Sequence, residues 1–293
     1  MTNAITWNGE VDSSRRDYVM TTSISDSTCA MPLANSGAYV DLSAFGVSPQ
    51  QEISGEDTWK WTVSGDPITF YGQDVGNDLF ITDDGYAYLA GLNEKPLVNA
   101  DIPTADLPNN LLAFFWRDLV VNYDATLFKG ISLVNLTDDG GIPIGHIVEM
   151  DDVNVKGNTA QTYDIEMYLA KTHDDAAGEF EVIFAYDNIV GPLDIGTVGI
   201  ENGDGSVGVK FAYNDAQLAT LTNGSAICFD WTVVPAPPKM ITFQVTVDED
   251  VALGALTNTA LHTSSQAGTV EEGAVAIVMI PAVKNLYLPV ILK

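Results

Sequence analysis

Apolar and polar residues alternate with period two in one short run after another, which restricts this chain to strands with a buried face, packed into sheets. ITFQVTVDEDVALGALTNTALHTS (241–264) shows the pattern plainly. Ile241, Phe243, Val245 and Val247 take every second position, Asp248, Glu249 and Asp250 interrupt with charge, and Leu256, Asn258, Ala260 and His262 begin a second alternation. Further runs are PITFYGQ (67–73), LFITDDGYAYLA (79–90), HIVEMDDV (146–153), YDIEMYLA (163–170), FEVIFAYDN (180–188), TVGIENGDGSVGVKFAYN (197–214) and AICFDWTV (226–233), separated by Gly, Asn, Asp and Pro clusters. GDG at 203–205 is a hairpin turn signal. LPNNLLAFFWRDLVV (107–121) reads equally as a buried strand or a short helix. The expected class is all-β: a large β-sandwich plus a smaller, incomplete one.

A boundary is expected at VVPAPPKM (233–240), where three prolines in four residues lack amide donors and favour an extended, semi-rigid linker. Past it the sequence turns rich in Thr, Ala and Val and loses its aromatics until Tyr287. The expected organisation is an amino-terminal strand region (1–28), a large sandwich (29–232), the linker (233–240), a second set of strands (241–281) and an apolar tail (282–293). Cys29 and Cys228 frame the large module, so they form either a bridge closing a loop of about two hundred residues or two unpaired buried thiols; an oxidising location favours the bridge.

Lys and Arg number 12 against 40 Asp and Glu, a net charge of −28. A field of that sign repels phosphate backbones and anionic lipid heads, so nucleic acid and membrane surfaces are disfavoured as partners. No run of eighteen apolar residues exists, and no membrane insertion is expected. MTNAITWNGEV lacks the basic and apolar regions of a signal peptide, yet few Lys, only 2 Cys and much Thr, Asn, Gly and Asp favour an exported protein.

Residues 29–231, through CAMPLANSGAYVDLSAFGVSPQ, ITFYGQDVGNDLFITDDGYAYLAG, IPTADLPNNLLAFFWRDL, FEVIFAYDN and AICFDW, resemble the nidogen-like β-rich modules of large secreted bacterial proteins. ITWNGEV (5–11) and residues 241–280 resemble the final strands of the Ig-like conserved repeats of bacterial surface proteins, and NLYLPVILK resembles the tails of extracellular bacterial proteins. In such a repeat the W-x-G-x and ITFxVTVD strands are near neighbours. The resemblance therefore implies a nidogen-like module inserted into a loop of an Ig-like domain, its ends tied by Cys29 and Cys228. About four Ig-like strands are present where roughly seven are needed. The implied remedy is a strand borrowed from another copy, from the amino-terminal strand (Ile5, Trp7, Val11) or the tail (Leu286, Tyr287, Leu288, Val290, Ile291). Head-to-tail donation would propagate into a homopolymer.

Carboxylates clustered near Gly turns are candidates for Ca²⁺: Asp83 and Asp84, Asp138 and Asp139, Asp151 and Asp152, Asp187 and Asp194, Glu201 and Asp204. None matches a D-x-D-x-D-G loop, and Asp-Gly is also ordinary turn chemistry. No H-E-x-x-H, G-x-S-x-G, P-loop or G-x-G-x-x-G element is present, and no enzymatic activity is expected. Glu149 with Asp151, and Asp164 with Glu166, fall on one side of a strand as a glycosidase pair would, but alternating strand acids ordinarily face water. Trp59 with Trp61 and Tyr86 with Tyr88 form period-two stripes that could stack on sugar rings, or simply fill a core. The expected function is that of a non-catalytic extracellular or cell-surface structural protein; the alternative is a glycan-binding or adhesive accessory module.

Overall fold

The computed structural model describes residues 3–55, 57–90, 96–171, 180–247, 254–261 and 273–280. Seventeen strands lie among them: β1 (Asn3–Thr22), β2 (Thr58–Thr62), β3 (Thr69–Phe70), β4 (Gln73–Asp74), β5 (Asp78–Thr82), β6 (Tyr86–Leu89), β7 (Leu111–Trp116), β8 (Leu119–Val120), β9 (Gly130–Thr137), β10 (Pro143–Val155), β11 (Asn158–Ala170), β12 (Val182–Val190), β13 (Thr197–Glu201), β14 (Gly208–Tyr213), β15 (Ser225–Val247), β16 (Gly254–Leu261) and β17 (Gly273–Ile280). The only helical turns among the described residues are two short 3₁₀ segments, Leu42–Phe45 and Leu218–Thr220. The 107–121 stretch resolves as strand, with β7 buried along its whole length.

The chain divides into two compact units, Arg16–Val233 and a second made of Met1–Arg15 with Val234–Lys293. The larger unit begins before Cys29 because Tyr18 is core, 4.9 Å from Trp231 and 5.7 Å from Phe70 by ring centroids. Its sandwich consists of a seven-stranded sheet, β1-β15-β12-β11-β10-β8 with β9 also on β10, and a six-stranded sheet, β14-β13-β7-β6-β5-β2. Alternation sends Met150, Ile165, Met167, Phe184 and Phe229 from the first sheet and Ile81, Leu112, Phe114, Val198 and Ile200 from the second into one core.

Irregular segments cover the outer faces, which is why β11 and β7 are buried on both sides. Residues 29–47 lie over the seven-stranded sheet, with Met31, Ala38, Val40 and Leu42 packed on Ile147, Ile183, Ala185 and Ala226. The Cys29–Cys228 disulfide pins this cover to β15. On the opposite sheet, Ala100 and Ile102 pack over Tyr86, Tyr88, Leu111 and Trp116.

The boundary between the two units falls within the 233–240 stretch, between Val233 and Val234, and β15 runs through it as extended backbone. The last β12–β15 pair is Val182↔Phe229. Beyond it β12 asks for no amide from β15, so Pro235, Pro237 and Pro238 break no ladder on that side. In the smaller unit, β16 and β17 pair antiparallel from Gly254↔Ile280 to Leu261↔Gly273.

Candidate carboxylate site

The site begins with an irregularity in the β10–β11 ladder. Met150 pairs with Ile165 and the next pair is Val153↔Tyr163, so Asp151 and Asp152 together stand opposite Asp164. This is a β-bulge, two residues against one, a device that re-aims side chains. Asp152 carries the local conformational cost at φ 51°, a left-handed value that Asp tolerates better than most residues. One carboxylate oxygen from each of Asp151, Asp152 and Asp164 lies within 4.8 Å of the others, the one such three-acid group among the described residues.

Hydrogen bonds fix the group. The Asp152 amide donates to Asp164 Oδ1 at 2.8 Å, Asn188 Nδ2 donates to Asp164 Oδ2 at 2.5 Å, and Lys129 Nζ lies 2.6 Å from Asp152 Oδ2. Asp187 is the β12 register partner of Asp164.

Two more carboxyl groups continue the site inward. Glu149 and Glu166 are direct cross-strand partners and so share a face, and they are only 2% and 0% exposed. The cover holds them: Leu42 N and Tyr39 Oη donate to Glu149 Oε1 at 3.0 and 3.1 Å, and Val40 N donates to Glu166 Oε2 at 2.9 Å. Glu166 Oε1 is buried with no hydrogen-bond partner. Asp164, two residues before Glu166 on β11, faces the same side.

Burial dominates the electrostatics. It pushes Glu149 up to about 7 against the lowering effect of the Leu42 and Tyr39 hydrogen bonds. Burial, then repulsion from neighbouring carboxylates, raises Asp151; burial raises Asp164 and carries Glu166 well above the usual carboxylate range. Such a set has two ways to relieve its charge, taking up protons or taking up a cation. Glu149 and Glu166 are sealed under residues 39–42 and cannot flank a sugar ring as a glycosidase pair must.

The other metal candidates read from sequence do not join this group. Asp84 Oδ1 accepts from the Leu119 amide, and Asp83 is buried in the same turn. Asp138 Oδ1 accepts from the Gly140 and Ile142 amides at 2.8 Å, which is turn chemistry, and Asp139 sits exposed beside it. Asp204 Oδ1 caps its own turn through Ser206, while Glu201 is buried on the other sheet and accepts from Thr104 N. Asp194 lies 3.6 Å from Arg117 Nη1. Only Asp187 reaches the rim of the carboxylate site, and Asp151 with Asp152 belongs to its centre.

The sugar-stacking stripes are corrected outright for the tyrosines. Tyr86 and Tyr88 are 0% and 4% exposed, Tyr86 against Trp116 and Tyr88 stacked on Phe80 at 4.9 Å, because the 96–110 segment covers that face. Trp59 and Trp61 are half-buried against the core, and Trp61 meets His146 edge-on at 5.6 Å. Ile5, Trp7 and Val11 fall in β1, which neighbours β15 of the same chain. Leu286, Tyr287, Leu288, Val290 and Ile291 lie outside the described residues.

Sequence reasoning missed Glu149 and Glu166 as buried groups, Tyr39 as the partner of Glu149, and Lys129 and Asn188 as the partners of Asp152 and Asp164. The usable signal was Asp151-Asp152 breaking the alternation of an otherwise regular run, as a bulge does. No described helix is long and apolar enough to cross a membrane, which leaves β-barrels unaddressed. No protein-family model, no curated protein and no solved structure matches this chain.

Proposed function

We propose that the chain is a non-catalytic structural module of a bacterial extracellular or cell-surface assembly, joined copy to copy by strand addition. The observation that carries this reading is the β16–β17 ribbon. It forms a sheet of two strands, hydrogen-bonded to no third strand among the described residues. A two-stranded ribbon is marginal in water, and added strands stabilise it. GALTNTAL and GAVAIVMI contain no charge and no proline, the devices that ordinarily blunt an exposed edge.

A second copy is the occupant the sequence supplies, through the alternating apolar residues Leu286, Leu288 and Val290 of its tail. Adding that segment to the ribbon of the next copy is a heterologous contact, and repetition makes a filament. The buried Cys29–Cys228 disulfide supports an oxidising compartment. The net charge of −28 keeps the remaining surface from sticking indiscriminately.

Sedimentation velocity over a hundredfold range of concentration tests the reading. Full-length protein should form a ladder of species that grows with concentration, and protein ending at residue 281 should sediment as a monomer. A full-length monomer at every concentration would refute it.

A further inference from the structure

We propose that the cleft between the β3–β4 hairpin and the 202–204 turn binds a neutral saccharide, its hydroxyls held by the polar side chains of Gln73, Asp74, Asn110 and Asp204 and its apolar ring face set against Tyr71. This goes beyond the assembly reading, which concerns the smaller unit, and does not depend on it.

The cleft measures about 550 Å³, within the roughly 300–1,000 Å³ that small-molecule sites occupy. Separate stretches of the larger unit wall it: the β3–β4 hairpin with Val75, Ala90 after β6, Asn110 before β7 and the turn after β13. Hydrogen bonds lock these together. Asn110 N donates to Asn202 O at 3.1 Å, Leu89 N donates to Asn110 O at 3.0 Å, and Tyr71 Oη donates to Ile200 O at 3.3 Å. A cleft held in this way needs little ordering when a ligand arrives.

The backbone is bent to build it. Of the eight non-glycine residues with left-handed backbone among the described residues, three line this one cleft: Tyr71, Ala90 and Asn110, at φ 48°, 57° and 50°. Strain of that kind collects at binding and catalytic sites. Tyr71 is the clearest case. With Gly72 at φ 69° it forms the two-residue loop of the hairpin, a place where Asn, Asp or Gly is usual, so the ring is kept there against the preference of the turn. Tyr18, Phe70 and Trp231 meet that ring edge-to-face at 4.8, 4.9 and 5.9 Å, which fixes its plane.

The polar groups suit a polyhydroxylated ring. The Asn110 carboxamide makes no hydrogen bond to a described residue, and bare Gly203 leaves it room: a Cβ there would stand 3.1 Å from both Nδ2 and Oδ1. Asp74 uses only Oδ1, on Gly76 N, and Gln73 uses only its amide nitrogen, on Gly72 O. Carboxamides offer donors and acceptors and carboxylates offer acceptors, so each sugar hydroxyl can donate to one group and accept from another. No Lys, Arg or His is among the described residues that line the cleft, while Asp74 and Asp204 are, which disfavours phosphates, sulfated sugars and uronic acids. A bare cation would leave the carboxamide donors without acceptors. The Trp59 and Trp61 stripe and the β6 tyrosines take no part in this wall.

Calorimetry of full-length protein against maltotriose, cellotriose, xylotriose and triacetylchitotriose should show saturable one-site binding of at least one, with Kd below about 1 mM. For that sugar, Gln73→Ala with Asp74→Asn should weaken binding about tenfold or more and leave the unfolding midpoint in place, since both side chains are exposed. Asp139→Asn, in a different exposed turn, should leave binding intact. No saturable binding of any of these sugars at about 10 mM would overturn the proposal. So would binding unaffected by the double substitution, or a preference for cationic chitotriose over its neutral acetylated form. Should the double variant fail to fold, amide chemical shifts of the unsubstituted protein decide: changes centred on Gly72, Gly203 and Asp204 support the site, and changes centred on β2 refute it.

Discussion

Replacing Cys29 and Cys228 by alanine together removes the disulfide that cross-links the 29–47 cover to β15 of the sheet beneath it. The bond spans 199 residues of sequence. In the loop-entropy account, a closed loop of that length costs the unfolded chain about 18 cal/mol/K, or about 5 kcal/mol at 25 °C. For a unit of this size each kcal/mol moves the unfolding midpoint by about 2–4 °C, so the double variant should melt about 10–20 °C lower than the oxidised protein. Both sulfurs are buried among Met31, Ile183 and Ala226, so the alanines leave small voids that add to the loss. Differential scanning calorimetry of oxidised, reduced and double-alanine protein gives the comparison. Hydrogen exchange adds a local readout, since the Val40 and Leu42 amides bound to Glu166 and Glu149 should lose protection before those of β11 do. A midpoint within about 3 °C of the oxidised protein would refute the reasoning, because the cover would then be held by packing and hydrogen bonds alone.

Three further outcomes follow from particular residues. Gly205→Ala places a methyl carbon 1.7 Å from the Thr104 carbonyl oxygen at φ +63°, and urea unfolding should show a loss of about 2–4 kcal/mol; a loss under 0.5 would mean that the 104–106 segment simply moves aside. Burial lifts Glu201 to about 7 from its ordinary 4.5, so the folded state binds its proton more tightly than the unfolded chain does. The stability conferred by that proton is complete below pH 4.5 and is lost as pH rises through 7. The stability of wild type relative to Glu201→Gln should therefore fall by about 2–3 kcal/mol between pH 4.5 and 7.5, and a flat difference curve would contradict the burial argument. Tyr88→Ala should cost about 3–5 kcal/mol in denaturant unfolding as a core truncation, since the ring is stacked on Phe80 and nearly sealed from water; a change under 1 kcal/mol would show the ring to be dispensable packing.

The strands were legible because their period-two pattern comes from burying one face. LFITDDGYAYLA resolves into β5 and β6 about its Asp-Gly turn, and TVGIENGDGSVGVKFAYN into β13 and β14 about GDG. The pattern says nothing of what covers the second face. Residues 29–47 and 96–110 have no periodicity of their own, so their burial of Glu149, Glu166, Tyr86 and Tyr88 left no mark in local sequence. An acid on the polar side of a strand looks the same whether it meets water or a lid. The prolines of 233–240 mark the place where the two units divide, while the backbone there stays extended within β15, since a missing amide is compatible with a strand on a side where the neighbour's pairing has ended. Asp151-Asp152 reads in sequence as the end of the 146–153 strand run and is a bulge in the sheet, since seeing the bulge requires knowing that β11 runs alongside.

Negative-stain electron microscopy of the full-length, oxidised protein, set against the form ending at residue 281, tests the central claim most directly. The account predicts regular unbranched fibres from the first and isolated particles from the second. Isolated particles from both, at concentrations well above micromolar, would contradict it.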